Sequence, residues 1–246
     1  MKDDLSTPPL MLVLESSGNS ASACVLEKGV LRAHFRHDAK YGHAQTLVGL
    51  TEQAIRQAGC AFSDVTHIAA GCGPGSFTGL RVCLATAKGY VLATGASVIG
   101  VNGLAALNFA QHTDTGTMAS MDNNHLYVAC IDSRRGSLFV QHANHQAVAC
   151  SAIMDIPDSD FDQHLDALCR QHQDHDIFIS CAERPDKLAE GIKAKDQIKI
   201  FTHQMDARII AHYACHALSD KAYVMDDLNP IYVVPPKLGS MVADIQ

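Results

Sequence analysis

The stretch "THIAAGCGPGSFTGLRVCLATAKGYVLATG", residues 66–95, decides how the chain is read. Small and apolar residues run into a loop holding Gly71, Gly73, Pro74 and Gly75, then into a segment whose only charges are Arg81 and Lys88. A strand, a glycine turn and a helix N-terminus leave backbone N–H groups at a positive dipole end, which suits an anion. The spacing fails the common templates. Thr78 stands where G-x-x-x-x-G-K-[ST] needs Gly-Lys, and Ser76 stands where G-x-G-x-x-G needs its third glycine. A nucleophile elbow, G-x-S-x-G, also fails, because Gly75 and Gly79 are each one place off around Ser76. The structural alternative is that Ser76 or Thr78 caps the helix and the glycines permit positive φ or close backbone packing. Gly73, Gly75, Ser76, Thr78 and Gly79 are the only loop candidates for holding a cofactor.

The helix after the loop is apolar nearly all round. Gly79, Cys83 and Ala87 form one line of small residues, Ala85, Gly89 and Ala93 another, and Leu80 and Leu84 a third. Such a helix is covered on more than one face. Its own lobe supplies one cover, and a second chain is expected to supply the other.

Working outward, "LMLVLESS" (10–17) reads as a buried strand, and residues 20–37 as two strands joined at Lys28-Gly29. Residues 43–59 place Leu47, Leu50, Ala54, Ile55 and Ala58 on one face of a helix that Gly59 stops. A strand over 65–70, a helix over 77–94 and the strand "SVIGV" follow. Further strands are expected near 117–121, 125–131, 177–181 and 198–201. Helices are expected near 102–111, 159–172 and 206–218. The order is that of an α/β chain with mixed sheets.

Nineteen Lys and Arg against 26 Asp and Glu leave a net charge of -7, which argues against a protein that grips nucleic acid unaided. Nine cysteines with no C-x-x-C, most in apolar settings, read as reduced thiols in a cytoplasm. "MKDDLSTPPL" has no apolar core, so no signal peptide is expected. No residue from Gly89 to Gln111 is charged, but Gly95, Gly100, Asn102, Gly103 and Asn108 interrupt the run, and a helix end, a strand and a second helix explain it better than a membrane span.

Metal and acid–base candidates are weak. His212 and His216 are i, i+4 in "HYACHAL", but no H-E-x-x-H order accompanies them. His34 and His37 fall on opposite faces of a strand. His142/His145 and His172/His175 lie in polar stretches of a chain with fourteen histidines, and "DIPDSDFD" (155–162) and Asp226-Asp227 read as solvated loops. No metal site and no catalytic carboxylate pair is expected.

"MLVLESSGNSASACVLEKG" (11–29), "HAQTLVGLTEQAIRQAG" (43–59) and "IAAGCGPGSFTGLRVCLATAKGYVLATGASVIGVNGLAAL" (68–107), in this order and spacing, resemble the bacterial tRNA threonylcarbamoyladenosine biosynthesis protein TsaB (YeaZ) family. The likeness is strong over about 11–108. It is thin at "SMDNNHLYVA" (120–129) and "NPIYVVPPK" (229–237), which lack the family's usual arginines. Glu15 stands where that family has Asp, Gly49-Leu50 replaces Leu-Pro, and residues 1–10 are an extra leader.

The resemblance implies a two-lobed fold like actin, Hsp70 and sugar kinases, here divided as 1–108 and 109–246. It implies a non-catalytic subunit that works with a homologous catalytic subunit of TsaD type and a small ATPase of TsaE type. That complex adds threonylcarbamoyl to the adenosine beside the tRNA anticodon. The catalytic relative carries an H-x-x-x-H metal pair on its first helix; here that place reads His43 to Leu47, and leucine cannot bind a metal. The expected docking face is Leu47, Leu50, Ala54, Gly79, Cys83, Ala87 and Val91, with a homodimer when the chain is alone, tRNA reached only through the complex, and no membrane. The rival readings are a glycoprotease-like hydrolase using Ser76 or His212/His216, and a stand-alone ATPase.

Overall fold

The computed structural model describes residues 9–38, 43–114, 124–182, 196–219 and 227–234. The first half contains β1 (Leu10–Glu15), β2 (Ser20–Glu27), β3 (Val30–Asp38), α1 (His43–Ala58), β4 (His67–Gly71), α2 (Phe77–Thr94) and β5 (Ser97–Val101). Then come α3 (Gly103–Asp114), β6 (His125–Asp132), β7 (Ser137–Ala143), β8 (Met154–Pro157), α4 (Phe161–Gln171), β9 (Asp176–Cys181), β10 (Ile198–Thr202) and α5 (Ala207–Ser219). Lys28 and Gly29, both at positive φ, close the β2–β3 hairpin as the sequence predicts.

The two sheets share one topology. The first runs β3-β2-β1-β4-β5 and the second β8-β7-β6-β9-β10. In each, the leading three strands form an antiparallel meander, a later strand adds in parallel to the first of them, and the last strand adds in parallel to that one. The expected pair of lobes with related topology is therefore present.

Strand alternation builds the layers. Leu12 and Leu14 of β1 pack with Leu47, Leu50, Leu80, Cys83 and Ala87 of α1 and α2. Met11 and Val13 point the other way, into a layer formed by α3 and α5. Ala129 and Ile131 of β6 enter that same central layer from the second sheet, while Val128 and Cys130 face α4. The order is helices, sheet, helices, sheet, helix. The division expected at 108/109 falls inside α3, which the two sheets share.

Residues 227–234 return to the first lobe. Leu228 and Ile231 pack on the α1–α2 core, and the Ile231 N–H donates to the Cys72 carbonyl at 2.8 Å. The strand expected at 117–121 lies outside the described residues. β7 and β8 were not expected from the sequence. All nine cysteines are free thiols, and among the described residues no helix is long and apolar enough to cross a membrane.

Candidate functional site

The glycine loop joins β4 to α2 and is folded onto the β1–β2 turn. A Cβ on Gly71 would lie 1.6 Å from Glu15 Oε2, one on Gly75 2.6 Å from the Ser17 carbonyl oxygen, and one on Gly79 1.9 Å from that of Ser16. At Gly75 and Gly79 only glycine lets the two backbones approach, and at Gly71 it leaves room for the Glu15 carboxylate. Gly73 adds a positive φ and precedes a cis peptide bond to Pro74. Ser76 caps α2: its Oγ accepts from the Gly79 N–H at 3.3 Å. Much of the loop's backbone is committed internally. Cys72 donates to Val101 and Ser76 to Ser17, both at 2.8 Å, and the Gly73 carbonyl accepts from Gly103 at 2.8 Å. The buried Glu15 carboxylate accepts from the backbone N–H and the hydroxyl of Ser17.

In front of the loop is a cavity of about 190 Å³ between the lobes. Gly75, Ser76 and Phe77 form one wall, Arg134 and Arg135 of the β6–β7 turn another, and Tyr232 of the returning tail a third. The Phe77 and Tyr232 rings lie 5.4 Å apart, and the Arg81 guanidinium sits 4.0 Å above Phe77. Pockets that enclose a small-molecule ligand span roughly 300–1,000 Å³. This one is smaller, and residues 231–234 of the returning tail form part of its lining.

Ser76 and the His212/His216 pair are far apart in role. The His216 ring stacks on Phe109 at 4.4 Å and His212 meets its edge at 5.1 Å, so both pack between α3 and α5. Burial holds the His212 imidazole below its ordinary pKa, and the nearby Asp114 carboxylate opposes that shift. A Ser–His–Asp chain invisible to spacing does exist: Ser180 Oγ lies 2.8 Å from His203 Nδ1, and His203 Nε2 lies 2.9 Å from Asp114 Oδ2. It is a poor catalytic triad. Ser180 is fully buried within β9, and the two ring nitrogens serve the opposite partners from those in serine hydrolases.

The residues expected to dock a partner are covered within this chain. Leu47, Leu50, Ala54, Gly79, Cys83 and Ala87 are all buried inside this chain, and Val91 is half-buried in the same core. The Gly79–Cys83–Ala87 line seats α2 against its own sheet: the Cys83 thiol reaches the Leu14 carbonyl at 3.4 Å. Burial, first of all, drives that thiol well above its usual pKa. The outer face of α2 is the other small-residue line. Ala85, Gly89 and Ala93 are exposed, and beside them Leu92 is 88% exposed. On α1, Val48 is 40% exposed. Thr51 adjoins the Tyr90 hydroxyl. Val48 and Leu92 thus stand within about one turn of a single α1–α2 contact.

The residues do not fit the metal pair of the catalytic relative. Leu47 is wholly apolar and fully buried, and the side chain of His43 lies outside the described residues. Among the described residues no group of three or more His, Cys, Asp or Glu is arranged to hold a metal ion.

The family model for TsaD, tRNA N6-adenosine threonylcarbamoyltransferase, matches residues 37–228. The tRNA threonylcarbamoyladenosine biosynthesis protein TsaB of Escherichia coli (strain K12) is 26% identical over 129 residues, which are 52% of this chain and 52% of that protein. The match thus spans about half the length of that relative. YeaZ from Pseudomonas aeruginosa has the same fold, with a TM-score of 0.66 and 19% identity over 92% of this chain and 100% of its own. An inorganic polyphosphate/ATP-glucomannokinase from Arthrobacter sp. strain KM aligns with a TM-score of 0.50 and 8% identity over 85% of this chain and 99% of its own. The fold is therefore that of the actin-like and sugar-kinase-like α/β proteins. By the match over 37–228 the chain belongs to the TsaD family, and within about half its length it is similar to the TsaB protein of Escherichia coli.

Proposed function

We propose that this chain is a non-catalytic subunit in the biosynthesis of tRNA threonylcarbamoyladenosine, docking a homologous TsaD-type subunit through the outer face of α1 and α2. Its family and its TsaB relative support the pathway. The observation that carries the docking role is Leu92, a large apolar side chain 88% exposed beside the small residues Ala85 and Gly89, with the exposed Arg81 and Lys88 bordering the same face of α2. Small residues let a second helix approach closely, and an exposed apolar strip invites a partner. A homologous lobe offers the same helix pair, so the contact is a bundle of like elements. In the partner's absence a second copy of this chain takes the same face.

Three features support the absence of chemistry. Leu47 replaces a metal ligand, the glycine loop spends its backbone on its own lobe, and the cleft lined in part by the tail is small. The net charge of -7 leaves tRNA to the partner, and the small TsaE-type ATPase supplies nucleotide turnover to the complex. The test is co-purification with a TsaD-type subunit. Wild type should form a stable complex, and Leu92→Glu should not. A complex that forms equally well with Leu92→Glu and Val48→Glu contradicts the proposed face. The hydrolase reading finds its best support in Ser180–His203–Asp114, and the burial of Ser180 weighs against it.

A further inference from the structure

The layer between α4 and the second sheet is apolar along most of its length. Leu138 and Val140 of β7 meet Phe161, Leu165 and Leu168 of α4. Alternation carries that face of β7 on to His142, and helical spacing carries that face of α4 to His164. Their Nε2 atoms lie 3.0 Å apart, with ring centroids at 5.2 Å. Both side chains are half-buried, and His172 at the end of α4 is the next titratable neighbour of His142. The sequence pairs His142 with His145, which is not its neighbour here. The real pair joins two elements 22 residues apart.

We propose that His142 and His164 together bind a divalent transition-metal cation, with water filling its remaining positions. Two imidazole Nε2 atoms are borderline-soft ligands suited to Ni²⁺, Cu²⁺ and Zn²⁺. The 5.2 Å centroid distance places the two rings nearly end-on in the hydrogen-bonded state, so both must turn for their lone pairs to converge; with metal–nitrogen bonds of about 2.0–2.1 Å and the nitrogens kept about 3.0 Å apart, the ligand angle is about 91–97°. That is a cis pair in an octahedral or tetragonal sphere, and too narrow for a closed tetrahedral zinc site, so Ni²⁺ and Cu²⁺ are favoured. Without metal, one Nε2–H donates to the other Nε2. Binding needs both lone pairs, so the donor ring moves its proton to Nδ1 through water, with no net proton release from two neutral rings. Burial holds His142 down to about 4, so the ring is neutral, as a ligand must be, at ordinary pH. A bound cation would clamp α4 to β7. This site is remote from the glycine loop and is independent of the docking role.

Titration of tag-free, EDTA-stripped protein with NiCl₂ tests it, read by calorimetry and by NMR of isotope-labelled histidine rings. Substoichiometric Ni²⁺ should broaden the His142 and His164 ring signals before those of the other histidines. His142→Gln and His164→Gln should each weaken Ni²⁺ binding at least about tenfold, whereas His145→Gln and His212→Gln should change it by less than about twofold. Broadening that begins on other rings, or unchanged affinity in both ligand variants, overturns the proposal. Melting curves in EDTA identify a variant that fails to fold. In that event the order of broadening in wild type decides by itself.

Discussion

Ser16 and Gly79 hold each other in place: the Ser16 hydroxyl donates to the Gly79 carbonyl at 2.8 Å, and the Ser16 carbonyl oxygen stands 1.9 Å from where a Gly79 Cβ would be. The obstacle is backbone, so it cannot swing aside. Gly79→Ala must push α2 off the β1–β2 turn. It is predicted to destabilise the chain by about 1–3 kcal/mol or more, as overpacking of a well-filled core does. Gly89, on the same helix, has nothing within 4 Å of its Cβ position. There Gly89→Ala should stabilise by about 0.5–1 kcal/mol through helix propensity. Thermal melting of the two variants checks both signs.

Substitutions on the two sides of α2 should separate folding from docking. Ala87 is fully buried, so Ala87→Arg is expected to unfold the first lobe and to say nothing about partners. Leu92→Glu should melt within about 0.5 kcal/mol of wild type, as surface changes do. It should nevertheless shift the isolated chain from dimer to monomer on size-exclusion chromatography. A monomeric wild type would remove the self-pairing part of the account.

Stability should depend on the His142–His164 pair below neutrality. Burial, with His164 and His172 adding repulsion, lowers His142 from its ordinary 6.5 to about 4. The folded state therefore binds fewer protons than the unfolded one, whose histidines titrate near 6.5. The contribution is full above about pH 6.5 and is lost as pH falls toward about 4. Denaturation midpoints measured across that window should fall more steeply for wild type than for His142→Gln. Parallel pH profiles would contradict this.

Ser180→Ala is expected to cost about 1 kcal/mol, the worth of a buried hydrogen bond, and to leave threonylcarbamoyl transfer by the complex unchanged. A peptidase activity of the purified chain that vanishes in Ser180→Ala would instead revive the hydrolase reading.

Most of the fold was legible because its signals are local. The glycine run, the Lys28-Gly29 turn and the apolar spacing of 43–59 each specify an element by themselves. β7 and β8 were missed for physical reasons: "SLFVQHA" is buried on both faces and shows no alternation, and β8 is a four-residue edge strand ending at Pro157. The small-residue line expected to dock a partner is buried within this chain, and the other line is exposed. Gly79–Cys83–Ala87 and Ala85–Gly89–Ala93 look alike in sequence, and only the position of the sheet decides which is covered. Glu15 with Gly71, Ser180 with His203, and His142 with His164 join separate elements, and no spacing rule anticipates such meetings.

The most direct test of the central claim is reconstitution of tRNA threonylcarbamoylation from purified TsaD-type subunit, TsaE-type ATPase, ATP, an activated threonylcarbamoyl donor and tRNA, with and without this chain. The account predicts modified adenosine only when this chain and the TsaD-type subunit are both present, with Leu92→Glu failing to replace wild type. Modification of tRNA by this chain alone, or equal modification in its absence, would contradict the account.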